Sequence, residues 1–497
     1  MKTRHTHGEI AFSQADYLKN VTTRSTIQRA DSCRAHLAST LVLAAWLTIC
    51  RAQGDAMFTT IYSFTGGENR WAVQGKDGDF YLTAHDFGPP SYDGAVLRMT
   101  TNGALTTLVV FRGVSNGAYP VGPLVQGSDG NFYGATSGGG NAVSGTNSGG
   151  TVFQMTPDGI LTTLYSFAGG SDGNGPYGAL VQGADGNFYG TATYRVFKIT
   201  PDGTLTTLHS FYPPSSDGGS PSGGLAQGTD GNFYGTTVAG GANGAGTFFK
   251  ITPDGTLTTL ASLSFPGWTG AGIGVSTLLL GSDGNFYGST QAGGTYTNEN
   301  THGFGTLFRV TTNGTLTILA SFSRTNGAVP THPALVQGSD GNFYGTTSSG
   351  GVYSNSSYPQ GFGTVFQVTA DGVITALISF NGTNGIRPST GLILASDGNF
   401  YGATFTGGPS GGGTFFRLSV PGAASPKIIA SAKSGSTFAT TWLALAGRSY
   451  QLQFATNLNQ SVWTESGGPI IATNFTVTAS DPVGSDRQRF YRVALLP

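Results

Sequence analysis

The residue most regularly placed for chemistry is an aspartate that recurs in a short motif, Gly-Ser-Asp-Gly-Asn-Phe-Tyr-Gly at 127–134. Copies spaced by roughly 50 residues carry it as Asp77, Asp129, Asp185, Asp230, Asp283, Asp340 and Asp397. Repeated Asp-Gly-Asn can bind Ca²⁺, but this ion takes six to eight oxygen ligands and each copy supplies one carboxylate. An Asp before Gly also bonds its own backbone in a tight turn. We therefore expect turn residues and no cofactor, with calcium as the lesser alternative.

Acid–base chemistry has few candidates in this sequence. The histidines beyond residue 52 are His85, His209, His302 and His332. None has a metal-binding spacing such as His-x-x-x-His, so we expect isolated surface or packing residues. Glycoside hydrolysis needs two carboxyl groups that converge across a cleft. Asp172, Asp217 and Glu299 lie in suitable loops, but nothing in the sequence brings them together, and we predict no catalytic residue.

The elements around the motif are short strands. The unit that begins at 161 reads Leu-Thr-Thr-Leu-Tyr-Ser-Phe (D), a Gly-rich loop, Leu-Val-Gln (A), the Asp-Gly turn, Asn-Phe-Tyr-Gly (B) and, after a link, Val-Phe-Lys-Ile-Thr (C). Apolar runs of this length, rich in β-branched and aromatic residues and bounded by Gly, Asp or Pro, predict strands and hairpins. Because Gly is 80 of 497 residues, we expect many tight turns, and no helix after residue 60.

Four strands per unit, repeated in series, predict a β-propeller. The array begins with a lone D strand at 59–64 and ends with A, B and C strands, the last at 414–418. The lone D strand would complete the last unit, which closes a ring and removes exposed edges. The expected fold class is therefore all-β, with a seven-bladed β-propeller over 57–420 that is closed by an N-terminal strand.

The adjacent Phe and Tyr of each B strand point to opposite faces of its sheet, because side chains alternate along a strand. Sheets stacked around an axis bury both faces, which suits one large ring on each. We therefore expect packing between blades, rather than chemistry, for Tyr133, Tyr189, Tyr234, Tyr287, Tyr344 and Tyr401.

Both halves of the unit recur in the same order over about 57–420: Ser-Asp-Gly-Asn-Phe-Tyr-Gly, then Gly-Thr-Val-Phe-x-x-Thr-Pro-Asp-Gly-Thr-Leu-Thr-Thr-Leu-x-Ser-Phe. This pair resembles the Gloeo/Verruco (GloVer) tandem repeat of bacterial "choice-of-anchor" surface and secreted proteins. The first unit departs from the repeat, with Asp79 in place of Asn and Leu82 in place of the closing Gly. The resemblance implies a propeller-like fold and an extracellular location, and it implies no catalytic residue.

Residues 1–52 are interpreted as a signal peptide with a long polar n-region. The apolar run at 37–49 is too short to span a bilayer comfortably, and Cys50-Arg51-Ala52 is an acceptable cleavage site. An uncleaved anchor, a buried helix and a lipid anchor at Cys50 are the alternatives. Both cysteines, Cys33 and Cys50, precede the repeats, so no disulfide framework is expected in the body. We predict a secreted or cell-surface protein without an integral membrane span in the mature chain.

The composition changes after the repeats. Residues 421–426, Pro-Gly-Ala-Ala-Ser-Pro, are interpreted as a linker. Residues 427–497 then hold strand-like runs at 437–443, 450–454, 475–478 and 490–493. These runs predict a small C-terminal β module that resembles a β-sandwich.

Loops of variable length on a rigid scaffold are the usual place for a binding site. In a propeller, the D–A and B–C connections emerge on one face, and here these connections vary most. Aromatic rings among Gly, Ser and Asn can stack on sugars or on a protein surface. The candidate ligand-binding residues are Trp268, Tyr119, Tyr177, Tyr212, Tyr296, Tyr353 and Tyr358. Surface loops without a ligand are the plain alternative.

The first functional hypothesis is a secreted binding, adhesion or structural module for carbohydrate or a cell-surface protein. The alternative is an extracellular polysaccharide hydrolase or lyase with its site in the propeller funnel. A formal net charge of −1 and a pI near 6.6 give no basic footprint for nucleic acid. We expect a monomer.

Overall fold

The computed structural model describes residues 56–86, 93–140, 149–169, 172–173, 175–211, 216–264, 277–296, 303–420, 423, 426, 428–444, 449–456, 463–473, 476–482 and 489–496. The predicted signal peptide at 1–52 and most of the predicted linker lie outside the described residues. So do Trp268, Tyr212, Glu299 and His302, together with the side chain of His332.

All regular structure in the described residues is β-strand, as predicted. The strands of the repeats are β1 (Met57–Ser63), β2 (Arg70–Gln74), β3 (Phe80–Ala84), β4 (Ala95–Met99), β5 (Leu105–Val110), β6 (Ala118–Gln126), β7 (Phe132–Gly138), β8 (Thr151–Met155), β9 (Leu161–Ser166), β10 (Val181–Gln182), β11 (Phe188–Ala192), β12 (Arg195–Ile199), β13 (Leu205–Ser210), β14 (Gly219–Gln227), β15 (Phe233–Ala239), β16 (Thr247–Ile251), β17 (Leu257–Ser262), β18 (Leu279–Leu280), β19 (Phe286–Thr290), β20 (Thr306–Val310), β21 (Leu316–Ser321), β22 (Ala328–Gln337), β23 (Phe343–Ser349), β24 (Thr364–Val368), β25 (Ile374–Ser379), β26 (Ile386–Pro388), β27 (Ile393–Leu394), β28 (Phe400–Thr406) and β29 (Thr414–Ser419). The remaining strands are β30 (Ile428–Ser434), β31 (Thr437–Leu443), β32 (Ser449–Ala455), β33 (Thr464–Glu465), β34 (Ile470–Ile471), β35 (Thr476–Pro482) and β36 (Phe490–Leu495). In the part of the chain that the structure describes, no helix has the length and apolar character needed to cross a bilayer.

The repeats form four-stranded antiparallel sheets of consecutive strands. These sheets are β2–β5, β6–β9, β10–β13, β14–β17, β18–β21 and β22–β25, each in sequential order. A further sheet joins β28 and β29 to β1, with β26 and β27 both paired to β28. The first strand of the repeats therefore lies beside the last, with Met57 opposite Ser419 and Ser63 opposite Thr414.

Aromatic rings from strand B fill the space between successive sheets. The ring of Tyr133 stacks on Phe188 of the next sheet at 3.9 Å, and Tyr189 stacks on Phe233 at 3.8 Å. The same contact joins the last sheet to the first, because Tyr401 lies 4.4 Å from Phe80. Complete burial of an aromatic side chain contributes about 1.5–3 kcal/mol, so this contact, repeated at each junction, is a major part of the core.

The first repeat departs from the motif in a way that the structure explains. In the regular copies, the closing Gly of strand B lies opposite a Phe of strand C, as Gly134 lies opposite Phe153. A Cβ on Gly134 would come within 2.6 Å of the Phe153 ring, so that position has no room for a side chain. In the first repeat, Leu82 lies opposite Leu97, and both are fully buried. One large and one absent side chain are thus replaced by two of intermediate size, which keeps the core filled.

The last strands form two small antiparallel sheets, β30-β31-β35 and β33-β32-β34 with β36 against β32. They share a core in which Trp442, Tyr450 and Leu452 are fully buried, with Val477 beside them. Strands β31, β32, β35 and β36 correspond to the four runs expected from the sequence.

Candidate functional site

A cleft of about 480 Å³ lies where several sheets of the repeats present the starts of their A strands and the ends of their B strands. Its walls come from the sheets that contain β2, β19, β22 and β26, so residues distant in sequence meet there. The lining residues are Asn69, Trp71, Gln291, Pro330, Thr331, Ser348, Arg387, Pro388, Ser389 and Phe405. All of them lie at or just beyond the start of strand A or the end of strand B, which is the side of the D–A and B–C connections.

A repeated turn shapes this side of the molecule. Before strand A, several repeats carry Asn or Asp, then Gly, two variable residues and Pro, as in Asn384-Gly385-Ile386-Arg387-Pro388. The residue before Pro adopts a left-handed backbone, which costs a non-Gly residue about 1–3 kcal/mol. The residues are Tyr119 (φ 58°), Ser220 (φ 52°), Val329 (φ 53°) and Arg387 (φ 53°).

Contacts with the preceding sheet hold this conformation in place. The N–H of Arg387 donates to the carbonyl of Phe362 at 2.7 Å, and the N–H of Val329 donates to Phe304 at 3.0 Å. The following proline packs on a glycine of the preceding sheet. A Cβ on Gly363 would come within 2.7 Å of Pro388 Cδ. The turn therefore presents one variable side chain per repeat from a rigid backbone.

The lining combines rings, amides and one cation, while the hydroxyls of Thr331 and Ser348 are bonded to Thr346 and to the carbonyl of Val329. Trp71 and Phe405 supply aromatic surface, and the Arg387 guanidinium lies 5.7 Å from the Phe405 ring centre. Arg387 is exposed, and its guanidinium has no ion pair or hydrogen bond within the described part of the chain. Asp, Glu and His do not occur among the described residues that line the cleft. This set can stack on an apolar face and exchange hydrogen bonds with hydroxyl groups.

A buried ion pair supports one wall. Glu68 Oε2 lies 3.3 Å from Arg70 Nη2, and Arg70 also donates to the carbonyls of Gly66 and Gly412. Burial lowers the pKa of Arg70 to about 10 although Glu68 acts in the opposite direction. Burial raises the pKa of Glu68, against the effect of Arg70. The pair holds the start of β2, and so Trp71, against the last sheet.

The first repeat also differs in its strand A, which is β2. Strands β6, β14 and β22 each have a register shift against their partner, whereas β2 pairs with β3 without one from Arg70 to Gln74. The first repeat also lacks the Asn/Asp-Gly-x-x-Pro turn. Trp71 therefore reaches the cleft from a straight strand, while Arg387 reaches it from a left-handed turn.

Of the aromatic residues predicted to bind ligand, those that the structure describes lie outside this lining: Tyr119, Tyr177, Tyr296, Tyr353 and Tyr358. Tyr119 is not in a loop, because strand β6 begins at Ala118. Its ring stacks on that of His85 at 5.2 Å. Tyr358 is half-buried and packs on Phe362. The exposed ones are Tyr177 (58%), Tyr296 (54%) and Tyr353 (49%). Trp71, Arg387 and Phe405 were not predicted, although the repeated Asn/Asp-Gly-x-x-Pro pattern is a signal that points to the position of Arg387.

The recurring aspartate takes part in a network at the A–B turn. Asp129 accepts hydrogen bonds from the Asn131 N–H at 3.1 Å, from the Asn131 amide at 2.8 Å and from the Tyr133 hydroxyl at 2.8 Å. Burial raises the pKa of Asp129, but these hydrogen bonds outweigh it and hold the pKa below its ordinary value. Burial and then Asp129 raise the pKa of Tyr133 to about 12. The aspartate thus has the predicted role in the turn, and it also accepts a hydrogen bond from the packing tyrosine, which was not predicted.

In the first repeat, where Asp79 replaces the usual asparagine, Arg98 balances the additional negative charge. Its guanidinium lies 2.7 Å from Asp79 and 3.3 Å from Asp77, so it bridges two neighbouring carboxylates. Within the described residues, no group of three or more His, Cys, Asp or Glu side chains could hold a metal ion.

His209, like His85 beside Asp86, has a carboxylate partner and so differs from the expectation of an isolated residue. The Nε2 atom of His209 lies 2.9 Å from Asp217 Oδ2, and its ring packs edge-on against Phe211. In the preceding sheet, the hydroxyl of Tyr165 donates to Asp172 at 3.1 Å in the same way. These pairs close the D–A connections and lie outside the cleft lining, so they are structural.

A model of the Gloeobacter/Verrucomicrobia repeat matches the chain at residues 47–196, 195–358 and 276–453. The chain belongs to the Gloeobacter/Verrucomicrobia repeat family. The family predicted from the motif is thereby confirmed. The match extends beyond the repeats expected at 57–420, and it includes β30, β31 and most of β32. No curated protein matches this member of the family.

Solved structures show distant similarity to this Gloeobacter/Verrucomicrobia repeat protein. Two are extracellular domains assigned to hybrid two-component systems of B. thetaiotaomicron. BT3049 has 11% identity and a TM-score of 0.47 over 88% of this chain, and BT4673 has 9% identity and a TM-score of 0.47 over 90%. The chain spans 57% of the first and 60% of the second. PorZ, a surface component of the type-IX secretion system of Porphyromonas gingivalis, has 13% identity and a TM-score of 0.42, with 87% of this chain and 60% of PorZ covered. At these identities the similarity does not extend to function.

Proposed function

We propose that this chain is an exported repeat protein whose sheets form a closed seven-bladed β-propeller and whose cleft binds carbohydrate. The observation that carries the proposal is the cleft lining, which sets Trp71 and Phe405 beside the amides of Asn69 and Gln291. Aromatic rings pack against the C–H face of a sugar ring, while amides and hydroxyls bond its hydroxyl groups.

Contacts between the first and last sheets support closure of the ring. The N–H of Ser396 donates to Gln74 Oε1 at 2.6 Å, and Gln126 accepts in the same way from Lys76 in the next pair of sheets. The junction of last and first sheet therefore repeats the hydrogen bond that joins ordinary neighbours. Together with the pairing of β1 and β29, this supports a ring in which the last blade is shared by both ends of the repeat region.

The remaining assignments follow from the sequence and are part of the same proposal. Residues 1–52 direct export, 57–420 form the propeller, 421–426 link it to the module at 427–497, and that module is a β-sandwich. The mature protein is a monomer without a cofactor, at the cell surface or secreted. The residues predicted from the sequence to bind ligand stay in the proposal as candidate contacts for a larger ligand: Trp268, Tyr119, Tyr177, Tyr212, Tyr296, Tyr353 and Tyr358.

Glycan hydrolysis or lysis in the funnel is the alternative from the sequence. A hydrolase would need two carboxyl groups that face each other across the sugar. The described lining supplies an arginine, amides and hydroxyls instead, which supports binding over turnover.

A glycan-array screen of the purified chain tests the proposal. We expect saturable binding to a class of oligosaccharide that Trp71→Ala weakens about tenfold or more, because a stacked aromatic platform is lost. Gln291→Ala is a milder second variant, and thermal unfolding reports whether each variant folds. Trp268→Ala tests whether the outer loops, rather than the cleft, bind the glycan. Binding in the presence of EDTA tests whether calcium is required.

Each other outcome has a defined meaning. Absence of binding to any glycan would contradict the carbohydrate proposal and favour a protein partner. Binding that Trp268→Ala abolishes and Trp71→Ala leaves intact would move the site to the outer loops. Release of shortened oligosaccharides would favour the enzyme.

A further inference from the structure

Arg387 is the charged member of a set of side chains that the repeated turn presents. The equivalent left-handed positions hold Tyr119, Ser220 and Val329. The backbone of these turns is the same while the side chain differs, so the turn varies the chemistry of the site without moving the scaffold. A strained backbone conformation persists only where surrounding contacts over-determine it, and such positions concentrate at functional sites.

The Arg387 guanidinium is free to bind an anion. It is exposed in the cleft wall, and its side chain has no acidic partner among the described residues. The acidic side chain nearest to the lining in sequence, Glu68, is already paired with Arg70 at 3.3 Å. A guanidinium presents parallel N–H donors that match the two oxygens of a carboxylate or sulfate.

The surroundings of Arg387 favour an acidic sugar over a bare anion. Phe405 lies under the guanidinium at 5.7 Å, and Trp71 supplies a second ring in the same cleft. Thr331, Ser348 and Ser389 form the remaining wall, and the amides of Asn69 and Gln291 are further polar groups of the lining. A bare phosphate or sulfate would use only the guanidinium, whereas an acidic sugar would also use the rings and the amides.

We propose that the cleft recognises glycans that carry a carboxylate or a sulfate, and that Arg387 is the specificity-determining residue that binds this group. This inference rests on the proposed carbohydrate-binding function and adds the class of ligand. The rings and amides hold the sugar, and the guanidinium distinguishes the charged form from the neutral one.

Pairs of oligosaccharides that differ only in the acidic group test the inference. One pair is trigalacturonate and its methyl ester, and the other is a sulfated N-acetyllactosamine and its unsulfated form. Titration calorimetry on the full chain should show tighter binding of at least one acidic member than of its neutral partner. Comparison of the two pairs separates a carboxylate from a sulfate as the recognised group.

The variants Arg387→Gln and Arg387→Lys identify the residue responsible. Arg387→Gln should weaken the acidic ligand about tenfold and leave the neutral one unchanged, because it removes a charge-assisted hydrogen-bonded pair. Arg387→Lys should retain part of the preference for the acidic ligand, since it keeps the positive charge and loses the two parallel N–H donors of the guanidinium. Arg112→Gln is the matched control, because Arg112 is an exposed arginine of another D–A turn that lies outside the cleft lining.

The remaining outcomes overturn the inference in distinguishable ways. Equal affinity for acidic and neutral members would contradict it and leave carbohydrate binding in place. Equal weakening of both members by Arg387→Gln would assign the residue a structural role and also contradict it. If no oligosaccharide in the glycan screen binds, the proposed function itself fails, and this inference fails with it.

Discussion

The ring of Tyr401 lies 4.4 Å from the ring of Phe80, although nearly the whole repeat region separates them in sequence. The same contact joins Tyr133 to Phe188 in neighbouring repeats at 3.9 Å. The last and first sheets therefore share the ring contact that neighbouring sheets share in the middle of the repeat region. A repeat that met its far end only by chance would not reproduce the contact of adjacent repeats.

Removal of β1 tests the proposed closure of the ring of sheets. Deletion of residues 57–63 leaves β29 paired only with β28 and removes Phe58, which is partly buried and stacks on Phe416 at 5.0 Å. Loss of that ring alone should cost up to about 3 kcal/mol. The exposed edge of β29 should also promote association between chains. We expect a lower midpoint of thermal unfolding, and oligomers by light scattering after gel filtration. Thr59→Ala is the control, and a deletion that unfolds like the wild type would contradict closure.

The pair Leu82 and Leu97 should behave as one unit in a double-mutant cycle. Leu82→Gly alone removes a fully buried side chain and should cost about 2–5 kcal/mol. Leu97→Phe alone adds volume to a filled core and should cost about 1–3 kcal/mol. The double variant recreates the pair seen at Gly134 and Phe153, so its loss should be smaller than the sum. Chemical denaturation measures the free energies of unfolding. Additive losses would contradict the claim that Leu82 and Leu97 together replace the Gly and Phe of the regular repeats.

Stability should fall on both sides of neutral pH. The pKa of Asp129 is held below its ordinary value of 3.8, so its contribution is present above pH 3.8 and is lost as the pH falls through the folded-state pKa. The pKa of Tyr133 is raised from 10.0 to about 12, so its contribution is present below pH 10 and is lost as the pH rises towards 12. The pKa is lowered in the same way at Asp185, Asp230 and Asp397, and it is raised as at Tyr133 in the other repeat tyrosines, Tyr81, Tyr189, Tyr234, Tyr287, Tyr344 and Tyr401.

Thermal unfolding between pH 2.5 and pH 12 measures this profile. We expect a plateau between about pH 4 and pH 10, with losses beyond each end. Tyr133→Phe should reduce the alkaline loss, because it removes one titrating hydroxyl from the network. The exposed Tyr177→Phe should leave the profile unchanged. A stability that keeps rising above pH 10 would show that the tyrosine hydroxyls do not stabilise the fold in their neutral form.

Arg387→Gly should separate stability from binding. The left-handed backbone of Arg387 is strained for any residue with a Cβ, and glycine removes this strain at the cost of a more flexible unfolded chain. We expect a variant up to about 1 kcal/mol more stable than the wild type that no longer prefers acidic oligosaccharides. Arg112→Gly, at a position without a positive φ, should instead lose about 0.5–1 kcal/mol. A clear loss of stability in Arg387→Gly would contradict the strain argument.

The sequence by itself determined the strands, their order in each repeat and the family. These features are local, since the alternation of Phe and Tyr and the Asp-Gly turns depend only on neighbouring residues. It also indicated that an N-terminal strand has a partner in the last repeat, because one strand was missing at each end. It could not show that Leu82 is compensated by Leu97, because their pairing depends on strand register.

Only the tertiary structure decided which residues meet in the cleft. Trp71 and Arg387 belong to opposite ends of the repeat region, and they share a wall because the first and last sheets pack side by side. Those of the predicted aromatic loop residues that the structure describes do not line the cleft, since loop length and composition do not determine the direction in which the chain turns. The Asn/Asp-Gly-x-x-Pro pattern was readable, but the left-handed backbone that presents Arg387 arises from hydrogen bonds and packing with the preceding sheet. Contacts of that kind, between residues far apart in the chain, are made by the assembled sheets and are not encoded in local spacing.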